Sequence, residues 1–163
     1  MMSCLIADSG PLIALAKLGL LDLPGRLFGR AGLPETVFAE CLVQAGLPDA
    51  QAIRSAVEAG YLELMPDLDW PADVDVPRLD AGELAALSIA QRLGGAVLMD
   101  ERRGREAARK LGLSVVGVCG LLLRANRLDW VGPLAPLMVQ LRRESYFISP
   151  VLVAHVLALA GEQ

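Results

Sequence analysis

Apolar residues along the chain change period repeatedly, between short continuous runs typical of buried strands and stretches with helical spacing. The first change comes near the N-terminus, where an apolar run at 4–7 is followed by helical spacing of Leu12, Leu15, Ala16 and Leu18. Further strands are predicted at 31–33, 61–65, 96–99 and 113–118, and further helices at 34–45, 49–59, 81–93, 102–111, 133–143 and 150–160. Strands and helices therefore alternate along the chain.

This alternation predicts an α/β fold of three layers, α/β/α, with a central, mainly parallel sheet covered by helices on both faces. The length of 163 residues and the apolar content of 54% suit a single domain spanning 1–163, with the C-terminal helices at 133–160 packed on it. The longest irregular segment is the stretch 66–80, which is rich in proline and aspartate. In such a sheet, a functional site is expected at the carboxyl ends of the strands.

Charge and cysteine content restrict the class of protein. A net charge of -4 argues against non-specific coating of nucleic acid, although a local basic face is compatible with it. Three cysteines without a CxxC spacing argue against a disulfide framework or a thiolate zinc site, which favours a reducing cytoplasm. The apolar stretch 151–160 is too short to span a membrane. The sequence therefore predicts a soluble cytoplasmic protein.

Two aspartates stand where predicted strands end. Asp8 follows the first apolar run and Asp100 follows the run at 96–99. Because the carboxyl ends of parallel strands meet at one edge of a sheet, both carboxylates are expected to face the same crevice. Considered alone, each aspartate is also an ordinary turn or cap residue.

Two glutamates are candidates for the same edge. Glu83 fits a capping box with Asp80, and Glu40 lies on the flank of its helix, where a solvated glutamate is common. A cluster of carboxylates is unfavourable without a cation, because like charges repel and raise each other's pKa values. Mg²⁺ or Mn²⁺ takes such oxygen ligands, whereas the single histidine, His155, excludes a multi-histidine centre. The chemistry indicated is metal-assisted hydrolysis.

Four stretches of the sequence together resemble a PIN domain: IADSGPLIALAKLGLLDLPGRLFG, GLPETVFAECL, LDAGELAALSIAQRLGGAVLMDERRGREAARKLGL and VVGVCGLLLRANRL. They cover nearly the whole chain in the order of that family and are most similar to small prokaryotic PIN proteins of the toxin–antitoxin type. The resemblance implies a five-stranded parallel sheet between helices. It also implies an acidic site that binds Mg²⁺ or Mn²⁺ and cleaves RNA.

Individual residues acquire expected roles from the same resemblance. Asp8, Glu83 and Asp100 match metal-binding carboxylates of the family. Glu40 matches the remaining acidic residue, and the four carboxylates together form the expected catalytic set. Ser9 resembles a hydroxyl residue that supports the metal or a water.

Two positions depart from the family's pattern. Gly10 stands where a second hydroxyl residue is usual, and Asp100, Glu101 and Arg102 stand where the family has an asparagine after the fourth strand. These departures bear on the number of metal ions and on the catalytic rate.

The helix that follows the fourth predicted strand carries a basic face. Arg102, Arg105 and Arg109 fall within about 60° of one another at helical spacing, and they are candidates for binding RNA phosphates. The alternative is a solvated face with Glu101–Arg105 and Arg102–Glu106 ion pairs, each worth about 0.2–0.5 kcal/mol.

The leading interpretation is a metal-dependent ribonuclease that acts on RNA, forms a homodimer and pairs with an antitoxin protein, as the resemblance suggests. The main alternative is a non-catalytic PIN-like module that binds RNA or a protein partner. A phosphoryl-transfer receiver or a haloacid-type phosphatase would also place an aspartate at a strand end. That chemistry needs further groups near the aspartate, which Ser9 and Gly10 do not supply.

Overall fold

The computed structural model describes residues 3–75 and 77–162 of the chain. Within these residues, the strands are β1 (Ser3–Ala7), β2 (Gly29–Pro34), β3 (Glu63–Met65), β4 (Ala96–Leu98) and β5 (Ser114–Val116). They form one sheet in the order β3-β2-β1-β4-β5, and every neighbouring pair is parallel. The predicted α/β fold with a central parallel sheet is therefore confirmed.

Helices connect the strands and cover both faces of the sheet. In the described part of the chain they are α1 (Ser9–Leu18), α2 (Leu23–Phe28), α3 (Glu35–Gln44), α4 (Leu47–Glu58), α5 (Ala81–Leu93), α6 (Arg102–Lys110), α7 (Val118–Arg127), α8 (Leu134–Arg143) and α9 (Pro150–Leu159). None of them is both long enough and apolar enough to span a lipid bilayer.

Two helices, α2 and α7, were not predicted from the sequence. Helix α2 has only six residues, which is too short for a helical period to be recognised. The strand predicted at 113–118 was too long, because β5 ends at Val116 and Val118 already begins α7. Gly117 separates them in an extended conformation as the N-cap of α7. When residues on both sides of a strand–helix boundary are apolar, the hydrophobic pattern does not reveal where the strand ends.

The strands contribute side chains to a hydrophobic core on each face of the sheet. In β1, Leu5 and Ala7 belong to the larger core, whereas Ile6 belongs to the smaller one. In β4, Leu98 and Val97 divide in the same way. Successive strand residues point to opposite faces, so a sheet buried on both sides needs continuous apolar runs. This explains why the first and fourth strands show no polar alternation.

Side-chain caps fix the two C-terminal helices. Ser149 Oγ accepts a hydrogen bond from the Leu152 N–H at 3.2 Å, which makes Ser149 the N-cap of α9. The Glu162 carboxylate accepts hydrogen bonds from the N–H groups of Leu134 and Ala135, at 2.7 and 3.0 Å. These two amides open α8, so the end of the chain satisfies donors that would otherwise lack a partner.

Candidate active site

The carboxyl ends of β1 and β4 lie side by side. The Asp8 N–H donates a hydrogen bond to the Leu98 carbonyl oxygen at 3.1 Å, which brings the residues after both strands to one edge. Helix α1 begins at Ser9 with Asp8 as its N-cap. The Asp8 side chain makes no capping hydrogen bond, which leaves its carboxylate available for another role.

Three carboxylates meet at this edge. Asp8, Glu40 of α3 and Asp80 before α5 each place one oxygen within 4.8 Å of the others, and we call them the acidic group. Sequence reasoning treated Asp80 only as a helix cap. It has that role as well, because its Oδ1 accepts a hydrogen bond from the Glu83 N–H at 2.8 Å. Asp80 is therefore a candidate site residue that the sequence interpretation missed.

Glu83 lies beside the acidic group and completes the predicted capping box. Its Oε1 accepts a hydrogen bond from the Asp80 N–H at 3.3 Å. Its Oε2 is buried without a hydrogen-bond partner, and so is Oδ1 of Asp8. The two side chains are only 7% and 5% exposed. Because a buried carboxylate oxygen without a partner is costly, these two oxygens favour binding of a proton or a cation.

Three carboxyl groups at this edge, those of Asp8, Glu40 and Glu83, have raised pKa values. Burial raises the pKa of Asp8 to about 6, and the charges of Asp80 and Glu40 add to the increase. Burial also raises the pKa of Glu83, with further contributions from Asp80 and Asp8. Burial and the charge of Asp80 raise the pKa of Glu40, which the Ser9 hydroxyl and the Gly82 amide partly offset. A bound cation would reverse these increases.

Three glycines provide the space for three of the carboxylates. A Cβ atom at Gly82 would lie 2.6 Å from each oxygen of Glu40. A Cβ at Gly104 would lie 2.8 Å from Oε2 of Glu83. A Cβ at Gly117 would lie 2.5 Å from Oδ1 of Asp100. Each contact is closer than real Cβ atoms approach, so these neighbouring elements carry glycine where a carboxylate must fit.

Asp100 is at the same edge of the sheet, but its side chain binds other groups. Its Oδ1 accepts a hydrogen bond from the Val118 N–H at 3.1 Å, at the start of α7. Its Oδ2 accepts a hydrogen bond from the Tyr146 hydroxyl. Asp100 is exposed and lies outside the acidic group. The structure therefore brings together Asp8, Glu40 and Asp80, and the capping box joins Glu83 to Asp80. Asp100 lies at the same edge with both oxygens engaged.

Comparison with known proteins identifies the family. A family model described as a PIN domain matches residues 4–162. The chain belongs to the PIN-domain family. The resemblance to a PIN domain found in the sequence is thereby confirmed, and nuclease activity with divalent metal ions is the general expectation for PIN domains.

One solved structure similar to this PIN domain is a PilT N-terminus domain protein from the hyperthermophilic archaeon Sulfolobus solfataricus P2. The two share 15% sequence identity with a TM-score of 0.56, over 75% of this chain and 92% of that one. At this identity the likeness shows the fold alone. A search of curated proteins found no match.

The donor set of this PIN domain fits a hard divalent cation. Carboxylate oxygens are the ligands that Mg²⁺ and Mn²⁺ prefer. The acidic group and Glu83 supply such oxygens, and two of these oxygens are buried and lack any other partner. The thiol of Cys41 has a pKa raised to about 12 by burial and by the charges of Asp8 and Glu40, so it does not offer a thiolate.

The basic face of α6 is partly used within the protein. Arg102 pairs with Glu106 at 3.1 Å, as the solvated-face alternative predicts. Arg105 is half-buried and donates a hydrogen bond to the Met99 carbonyl oxygen at 2.8 Å, so the Glu101–Arg105 ion pair is not the contact that forms. Arg109 is exposed. Arg105 therefore fastens α6 to the end of β4.

Glu101 is a second residue that sequence reasoning left out of the site. It is exposed at the N-cap of α6, and its charge adds to the raised pKa of Asp8. The available signal was the pair of consecutive acids after β4, since Asp100 and Glu101 both lie at the carboxyl end of a central parallel strand.

Without metal, we expect the PIN domain to melt at a higher temperature at pH 5 than at pH 8. The raised pKa of Asp8 means that the folded state favours the protonated carboxyl. This stabilisation is fully present below the unfolded pKa near 3.8 and is lost as the pH rises through about 6. From pH 5 to pH 8, ionisation of Asp8 alone should lower the free energy of unfolding by about 1 kcal/mol. This corresponds to a decrease in melting temperature of about 2–4 °C.

Thermal melts in a chelator, at matched ionic strength, measure this dependence. Asp8→Asn should melt at temperatures that depend less on pH, whereas Asp69→Asn, in the exposed loop, should follow the parent. The same pH dependence in the parent and in Asp8→Asn would contradict the raised pKa of Asp8.

Proposed function

We propose that this PIN domain is an endoribonuclease that depends on Mg²⁺ or Mn²⁺. The supporting observation is the pair of buried oxygens without partners, Asp8 Oδ1 and Glu83 Oε2, next to the acidic group. A cation at this position would offset the repulsion among the carboxylates. It would also satisfy two oxygens that the fold otherwise buries at a cost.

The residues divide into two roles. Asp8 and Glu83 would hold the ion through their buried oxygens, with Asp80 as a neighbouring ligand. Asp100 would not contact the ion and would belong to the shell of residues outside the ligands. When bound, the ion supplies Lewis acidity towards a phosphodiester and its leaving oxygen. Glu40 is only half-buried and has a raised pKa, so one of its carboxylate oxygens suits accepting a proton from an attacking water. The Ser9 hydroxyl, which faces Glu40, would orient that carboxylate.

An assay of RNA cleavage by the purified protein tests this function. We expect Mn²⁺ or Mg²⁺ to support cleavage of single-stranded or structured RNA, and EDTA or Asp8→Asn to abolish it. Cleavage that survives both EDTA and Asp8→Asn would point to a contaminating nuclease and contradict the proposal.

One observation favours a second candidate, a non-catalytic module that binds RNA or a protein. Both oxygens of Asp100 already have hydrogen-bond partners, which leaves the site with fewer free ligands than the resemblance implies. Binding of Mn²⁺ and RNA without cleavage of any RNA offered would support this candidate over the ribonuclease.

We propose that α6 contacts the RNA backbone through Arg109, and also through Arg102 when its ion pair with Glu106 breaks. Arg105 belongs to the same face but is held by Met99, so its contribution to binding would be mainly structural. An arginine matches a phosphate with two parallel donors, and α6 starts immediately beyond the acidic edge.

The variant Arg109→Ala should weaken RNA binding and reduce its salt dependence. Loss of one phosphate contact lowers the slope of log affinity against log salt by about 0.7 for a single strand. Binding titrations of the metal-free protein at several salt concentrations measure this slope. Arg54→Ala, an exposed arginine on α4, is the matched control and should keep the parent's slope. An unchanged slope in Arg109→Ala would return α6 to the solvated-face interpretation.

We also propose that the protein is the toxin of a toxin–antitoxin pair, located in the cytoplasm, and that it forms a homodimer. Phe147 and Val151, near the start of α9, are 84% and 81% exposed, and apolar groups so exposed are typical of protein contacts. Light scattering should give twice the chain mass of 17.3 kDa. A monomer mass at all working concentrations would contradict the dimer.

A further inference from the structure

Tyr146 connects the C-terminal helices to the acidic edge of the sheet. Its hydroxyl donates a hydrogen bond to Oδ2 of Asp100, while Oδ1 of the same carboxylate accepts from the Val118 N–H. The Tyr146 pKa is raised by burial, by the charge of Asp100 and by their hydrogen bond, so the hydroxyl stays protonated and acts as a donor. Asp100 is therefore held from two sides, by the start of α7 and by Tyr146.

The backbone at Tyr146 is fixed by the end of α8. Its N–H donates to the Leu141 carbonyl at 2.9 Å, and the Ser145 N–H donates to the Arg142 carbonyl at 3.1 Å. Ser145 has a φ of 65°, in the left-handed region that L-residues seldom adopt. These bonds form the Schellman motif that closes a helix, and here it ends without the usual glycine. The fold accepts strain at Ser145 while directing Tyr146 to Asp100.

Helix α8 is itself anchored to the body of the protein. The Gln140 side-chain amide donates to the Lys17 carbonyl oxygen at 2.8 Å, at the end of α1. The Glu162 carboxylate binds the first amides of α8. Tyr146 therefore follows a helix, α8, that is anchored near both ends. Such anchoring is required for one side chain to hold another in place.

The carboxylate that Tyr146 holds follows the strand next to the one that Asp8 follows. Asp100 comes two residues after Leu98, whose carbonyl binds the Asp8 N–H. The charge of Glu101 raises the pKa of both Asp8 and Tyr146, so this side chain lies within electrostatic reach of both. Asp100, which precedes Glu101 and follows Leu98 by two residues, therefore lies at the same edge as the proposed metal centre.

We propose that Tyr146 is a positioning residue for the proposed metal centre, where its hydrogen bond fixes the Asp100 carboxylate beside the residues that hold the ion. This inference rests on the proposed function. With both oxygens engaged, Asp100 acts on the centre from outside the ligand set. Changing an outer-shell group of a metal site typically costs about 10- to 100-fold in metal affinity or activity, and Asp100, which Tyr146 holds, is such a group here.

A double-mutant cycle with Tyr146→Phe and Asp100→Asn tests the proposal. Calorimetric titration with Mn²⁺ should show about tenfold weaker binding by Tyr146→Phe. In the Asp100→Asn background, Tyr146→Phe should cause no further loss, because Tyr146 acts through Asp100. Tyr61→Phe changes the other tyrosine, which is exposed, and is the matched control that should bind as the parent does.

A second variant reaches Asp100 without changing Tyr146. In Gly117→Ala the new Cβ would lie 2.5 Å from Asp100 Oδ1, so the carboxylate must move. We expect weaker Mn²⁺ binding here as well. Melts in EDTA show whether each variant is folded.

The outcomes separate this proposal from the proposed function. Parent-like Mn²⁺ affinity in Tyr146→Phe, or an equal further loss in the Asp100→Asn background, would overturn the role of Tyr146 even if the parent cleaves RNA. The expected pattern of affinities in a parent that cleaves no RNA would support Tyr146 and reject the ribonuclease. A parent that binds no Mn²⁺ would overturn both.

Discussion

The variant Asp8→Asn is expected to melt at the same temperature as the metal-free parent or higher, and to lose most of the stabilisation that Mn²⁺ gives the parent. The amide removes a charge that repels Glu40 and Asp80, which favours the folded metal-free protein. It also removes a ligand from the ion. The two effects on stability have opposite signs, so this single substitution distinguishes a role of Asp8 as metal ligand from a role as turn residue.

Mn²⁺ binding should stabilise the parent by far more than it stabilises Asp8→Asn. At a Mn²⁺ concentration of 100 times the dissociation constant, binding stabilises the parent by about 2.7 kcal/mol. Asp8→Asn should retain only a small part of this. RNA cleavage should fall at least about a hundredfold, since even residues that only support a metal ligand cost about 10- to 100-fold.

Paired thermal melts with and without Mn²⁺, run beside the cleavage assay, measure both effects. Asp69→Asn controls for the change from acid to amide at an exposed position. An equal Mn²⁺-induced shift in the parent and in Asp8→Asn would remove Asp8 from the metal site.

Gly82→Ala should reduce RNA cleavage by at least about tenfold while leaving the melting temperature nearly unchanged. The added methyl group would lie 2.6 Å from both oxygens of Glu40. Glu40 is a flexible side chain and is able to move away at little cost in stability, but it then leaves the acidic group. Alanine in a helix is also favoured over glycine by up to about 1 kcal/mol, which offsets the cost of the displacement.

Gly10→Ala is the matched control for this prediction. Gly10 and Gly82 are each the second residue of a helix, α1 and α5, and both helices begin at the acidic edge. A Cβ at Gly10 would meet nothing within 4 Å. We therefore expect parent-like cleavage in Gly10→Ala. Equal losses in both variants would show that the helix termini, rather than the space for Glu40, determine activity.

The fold was predictable because buried parallel strands have a plain sequence signature. The runs at 4–7 and 96–99 are apolar throughout, as strands covered on both faces must be. The acids that follow these runs could be assigned to one edge from topology alone. The spacing of apolar residues could not separate β5 from α7, because apolar residues lie on both sides of Gly117.

The composition of the site was less predictable than its location. Asp80 was treated as a cap because a capping box explains it fully at the level of sequence, and only the folded chain shows that one carboxylate has both roles. The spaces at Gly82, Gly104 and Gly117 depend on contacts between elements far apart in sequence. The bond from Tyr146 to Asp100 spans 46 positions and has no local pattern.

We propose that the carboxylates after β1, on α3 and at the start of α5 form a divalent metal site. The most direct test is an anomalous difference map from crystals of the protein soaked in Mn²⁺. We predict a peak within coordination distance of Asp8 and Glu83, on the side that Glu40 and Asp80 face. No peak there at saturating Mn²⁺, or a peak that Asp8 does not touch, would contradict the claim.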